Sequence, residues 1–187
     1  MKYLSKQNSA LFSIAVLVAL LSLPFAATGQ ASVDHYLAGR ACILQERFDS
    51  AAFHLETALK ERPGDAEYLY HLGVARYLER NYPAAREAFY EAERRRNGLG
   101  SLYMARIESK LNRPEQAFKY LRIHLASRYR VEEHEIVLDE DLAALHSHPG
   151  WQRLWNEEEW YGSRDRAFRE AIFMKERGDY LEAINQL

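Results

Sequence analysis

From Ser32 onward the chain repeats itself with a period of about 34 residues. A repeat of that length is one supersecondary unit, too small to bury its own apolar face, so successive copies must stack. The first copy, Ser32 to Asp65, places Gly39, Phe48, Ala51, Leu55, Ala58 and Pro63 at marker offsets. The second, Ala66 to Asn97, returns Leu72-Gly73, Tyr82, Ala85, Phe89 and Ala92 at the same offsets. A third copy, residues 98–126, is weaker: Met104-Ala105 stands for the Leu-Gly pair, and Ala117, Leu121 and Leu125 follow. A partial fourth, 164–187, carries Ala171, Gly178, Tyr180 and Ala183 and stops inside its second helix.

Each copy reads as two antiparallel helices, A and B. Small residues in helix A (Gly39, Gly73, Ala105) and helix B (Ala51, Ala85, Ala117) let two helix axes approach where a larger side chain would overfill the contact. Leu55, Phe89 and Leu121 then fill the space between helix pairs. The A–B turns are Glu46-Arg47-Phe48, Arg80-Asn81-Tyr82 and Asn112-Arg113-Pro114, with Pro83 and Pro114 in the first turn of helix B, where a missing N–H costs little. Pro63-Gly64-Asp65 ends the first copy with two helix breakers and an N-cap for the next. Val, Ile and Thr are sparse beyond the first thirty residues and strand-like alternation is hard to find, so the expected class is all-α. A coiled coil would need a sustained heptad, and an ordinary bundle would not need Gly and Ala at fixed offsets.

On these residues the chain resembles the tetratricopeptide-repeat family. The resemblance implies a right-handed α-solenoid of antiparallel helix pairs that works as a non-enzymatic scaffold, binding a peptide or protein segment in the concave groove lined by the A helices. The family's groove positions fall here on Val33, Tyr36, Arg40, Ile43 and Leu44, on Glu67, Tyr70, Val74, Tyr77 and Leu78, and on Leu99, Leu102, Arg106, Ser109 and Lys110. Tyr36, Arg40, Tyr70, Tyr77, Arg106 and Lys110 are the expected binding residues, since Tyr and Arg offer large contact area and hydrogen bonds at modest entropic cost. The lining is aromatic at one end and basic at the other, which suits a segment with an acidic residue beside apolar ones. Packing between helices is the competing role for several of the tyrosines. The Lys/Asn clamp with which some family members hold a carboxyl terminus is not matched, because Tyr36 and Arg40 stand in its place.

Residues 1–29 are a different object. Lys2 and Lys6 precede an apolar run, Leu11 to Leu23, which Pro24 breaks before Ala26, Ala27 and Gly29, the layout of a secretory signal peptide cleaved after Gly29, with Ala31 the neighbouring option. The expected location is therefore periplasmic or secreted, in the assembly of an envelope or secreted complex. An uncleaved leader would instead anchor the chain in a membrane. The single cysteine, Cys42, excludes an intramolecular disulfide and reads as a buried core residue. A net charge of -2 gives no drive toward nucleic-acid phosphates or anionic lipid, so the expected partner is protein, and no nucleic acid.

Residues 127–162 leave the period and read as a segment that closes the repeat block. Asp139 is placed to cap a short helix bearing Leu142 and Leu145, and Pro149 opens a helix with Trp151, Leu154 and Trp155 on one face. That face is expected to cover the end of the third copy rather than to form an exposed platform. No arrangement here points to catalysis or to a cofactor. His124, His134, His146 and His148 are dense but lack the spacing of a metal site. Glu132-Glu133 and Glu157-Glu158-Glu159 read as solvated surface, and Arg94-Arg95-Arg96 as cations at a helix C-terminus. A phosphate loop, a Gly-x-Ser-x-Gly elbow and a Cys/His nucleophile pair are lacking from the sequence. The rival expectation is that these repeats regulate or target a larger enzyme whose catalytic domain lies beyond Leu187.

Overall fold

A computed structural model of the chain describes residues 30–157 and residue 160. The expected leader (1–29) and partial fourth copy (164–187) lie outside the described residues. The described residues are all-α: eight α-helices and one 3-10 turn, with no strand among them. In order these are α1 (residues 30–44), α2 (Phe48–Glu61), α3 (Ala66–Leu78), α4 (Tyr82–Arg95), α5 (Ser101–Lys110), α6 (Pro114–Leu125), α7 (Glu133–Val137), the 3-10 turn Ala143–Leu145 and α8 (Pro149–Glu157). The chain divides into two compact units at Glu79/Arg80, inside the second copy.

In the first unit, α1 and α2 pack where their small residues meet. A Cβ added to Gly39 would sit 2.6 Å from Cγ of Leu55 and 3.2 Å from the carbonyl of Ala51, so glycine is what permits the approach. Cys42, Ala51, Ala52, Leu55 and Ala75 form the core, with Tyr36, Ile43 and Leu72 packed against it. Helix α3 starts at Asp65, whose carboxylate accepts the N–H groups of Glu67 and Tyr68 at 3.1 and 3.4 Å. Arg62 pairs with the same carboxylate at 3.3 Å.

The second unit opens with α4, where the Asn81 side chain accepts the N–H of Ala84 and Pro83 occupies the first turn. After α4 the chain turns through Gly98 (φ 90°), and the Glu93 carboxylate accepts the N–H groups of Gly98 and Gly100 at 2.7 and 3.1 Å. Leu99, expected on the groove face, therefore lies in this turn ahead of α5. Helices α5 and α6 pack closely, and their apolar faces join α7, the 3-10 turn and α8 in one core. Trp151, Leu154 and Trp155 are buried in it, so the tryptophan face is packing surface as expected.

Two local expectations need correction. Asp139 caps no helix: Leu142 stands at the N-cap of the 3-10 turn, and the Asp139 carboxylate is committed to Arg106 and to the N–H of Asp141. Glu133 is buried rather than solvated, because α7 is a single short turn and the face carrying Ile136 and Val137 draws Glu133 inward.

The same corner joins A to B three times. Glu46, Arg80 and Asn112 each take a left-handed backbone, with φ of 57°, 62° and 55°. The corners recur at spacings of 34 and 32 residues, the backbone counterpart of the sequence period.

Candidate functional site

In the first unit the expected groove residue Tyr36 of α1 meets α3. The Tyr36 ring stacks on Tyr68 with centroids 4.3 Å apart and meets the edge of His71 at 5.3 Å. Arg40, exposed one turn further along α1, lies with its guanidinium 5.7 Å from the centre of the Tyr36 ring. Tyr70 is half-buried and meets His71 edge-on at 5.2 Å. His71 Nδ1 lies 2.9 Å from the carbonyl of Glu67 and donates to it, leaving the Tyr36 hydroxyl 3.4 Å away as a polar contact. Burial lowers the pKa of His71 and raises that of Tyr36, so both are neutral at pH 7. The surface they make is aromatic with one exposed cation at its rim. Tyr77 is buried and contributes to packing. Tyr68 and His71 lie off the groove register: Tyr68, buried, backs the Tyr36 ring, and His71, partly buried, meets its edge.

In the second unit the basic end is already engaged. Arg106 Nε donates to Asp139 Oδ2 at 2.6 Å, and its guanidinium lies 4.7 Å from the centre of the Tyr103 ring. One helical turn on, Lys110 pairs with Asp141, an interaction that raises the lysine pKa. Leu102 is buried in the core that contains Leu142. Asp139 and Asp141 are the residues that sequence reasoning missed as partners of the groove; their spacing was visible, but what they face was not.

The histidines serve separate purposes. His124 is buried, and its Nε2 accepts the N–H of Val131 at 3.2 Å. His146 lies against Trp151 with centroids 4.5 Å apart, His148 Nδ1 accepts the N–H of Gly150 at 3.0 Å, and His134 is exposed on α7. Among the described residues no three His, Cys, Asp or Glu are grouped to hold a metal, and no helix is long and apolar enough to cross a membrane. A carboxylate is buried as well: Glu108, fully enclosed on α5, lies 3.1 Å from Arg86 Nε and 3.5 Å from an Arg113 guanidinium nitrogen.

No protein-family model matches the chain, and no curated protein matches it.

Proposed function

We propose that this chain is an exported tetratricopeptide-repeat scaffold, a right-handed α-solenoid that holds a peptide or protein segment and carries out no chemistry of its own. The observation that supports it most is the threefold recurrence of one helix corner at Glu46, Arg80 and Asn112, in register with the small residues that let the helices approach. Helical repeats of this kind bind segments along the face of their A helices. The contact surface is the α1/α3 face of Tyr36, Arg40 and Tyr70, where a rigid aromatic patch lies beside an exposed guanidinium. A segment with an apolar residue next to an acidic one complements it. Export rests on the leader pattern, and the location and mass of the recovered chain test it: a chain beginning at Gln30 outside the cytoplasm fits cleavage, an intact membrane-bound chain fits an anchor, and an intact chain confined to the cytoplasm refutes export.

The binding experiment is selection of a displayed peptide library on the full chain, with the selected peptides then titrated against an Arg40→Ala/Tyr70→Ala variant. Loss of about tenfold or more in affinity with an unchanged circular dichroism spectrum supports the surface. Equal affinity for the two proteins sinks it.

A further inference from the structure

The groove positions of the third copy that fall on α5 face this chain's own residues 139–148: two are ion-paired to them, one shares their core and one lines a cavity with them. Leu102 shares a core with Leu142 and Leu145. Arg106 holds Asp139, and Lys110 holds Asp141. Ser109 lines a cavity of about 180 Å³ together with Ala144, Leu145, Ser147 and His148. The match is one of pattern as well as contact. Two cations one helical turn apart meet two carboxylates two residues apart, and the next residue, Leu142, is a fully buried apolar anchor. An Asp139 turn holds the carboxylates at this spacing, with the Asp139 side chain accepting the N–H of Asp141 at 2.9 Å and its carbonyl accepting that of Leu142 at 3.0 Å.

We propose that residues 139–145 are a ligand in cis, filling a site on α5 for an acidic segment of the form Asp-x-Asp-Leu, and that a partner's segment of the same chemistry exchanges with them. This rests on the groove reading and deepens it by naming the ligand chemistry and a means of control. In the resting chain residues 139–145 close α5. A tethered segment competes at an effective concentration in the millimolar range, so a free segment gains access when the cis contacts weaken. Each lost charge-assisted bond weakens them by about tenfold or more.

The test uses a fluorescein-labelled peptide spanning residues 137–145, followed by anisotropy on the full chain. Wild type is expected to bind weakly. The Asp139→Asn/Asp141→Asn variant is expected to bind about tenfold or more tightly, and adding Arg106→Ala/Lys110→Ala is expected to abolish the gain. A folded double variant that binds no better than wild type overturns the proposal and leaves residues 139–145 as a cover only. If the double variant unfolds, hydrogen exchange on wild type decides. Excess unlabelled peptide should expose the amides of Asp141 and Leu142, and unchanged protection overturns the exchange. The Arg106→Ala/Lys110→Ala arm reads α5 and Arg40→Ala/Tyr70→Ala reads the first unit, so either proposal can fail without the other.

Discussion

Glu46, Arg80 and Asn112 occupy a backbone region that costs an L-residue about 1–2 kcal/mol, and only the asparagine is a residue type that tolerates it well. Arg80→Gly should relieve that strain, offset in part by the extra chain entropy that glycine loses on folding. The expected result is a gain of up to about 1 kcal/mol in urea denaturation, with a smaller gain for Asn112→Gly. Arg80→Gly destabilising the chain would mean that the left-handed corner carries little strain. The turns themselves were legible in the sequence as breaks between helical runs. Their handedness was not, because neither Glu nor Arg signals a positive φ. Glu108 was equally hidden, since a glutamate on a helix reads as solvated until α5 is set against Arg86 and Arg113.

At the scale of the element, α8 shows how a short helix can dominate a core. Its N-terminal Pro149 and the i, i+3, i+4 pattern of Trp151, Leu154 and Trp155 make both its start and its apolar face readable in sequence. Trp151 is fully buried, between His146 at 4.5 Å and Trp155 at 5.6 Å. Trp151→Ala should therefore cost about 3–5 kcal/mol by denaturant titration, the range for emptying a large aromatic site. A loss below about 1 kcal/mol would place the ring at the surface after all. Asp65 worked as read from Pro63-Gly64-Asp65, because an N-cap is a local contact. Asp139 did not, because the short helix starts at Ala143 with Leu142 at its N-cap, and the Asp139 carboxylate instead holds the N–H of Asp141 and the Arg106 guanidinium, which nothing local announces.

Across the whole molecule, stability should depend on pH through His124. Burial, with Arg106 adding to it, pushes its pKa down to about 4, while the Gly98 backbone and Glu135 act in the opposite direction. The unfolded chain takes up this proton near pH 6.5, so the native state has the full benefit above that value and loses it as pH falls toward 4. The expected loss between pH 7 and pH 4.5 is about 2–3 kcal/mol from this residue. His124→Gln keeps an acceptor for the N–H of Val131 and should flatten that part of the profile, measured as melting temperature against pH. Parallel profiles for the two proteins would assign the acid sensitivity to other groups.

The sequence by itself determined the helical class, the helices of the three copies, the small residues where α1 meets α2 and α5 meets α6, and the inward face of α8. All of these follow from periodicity and local sterics, which a linear chain displays. Tertiary structure alone decided which groove positions stay open. Tyr36 and Arg40 remain at the surface, Tyr77 is buried, and Arg106 and Lys110 are met by Asp139 and Asp141 more than thirty residues further along the chain. An ion pair between segments so far apart depends on how the intervening helices fold back, and no local pattern encodes that.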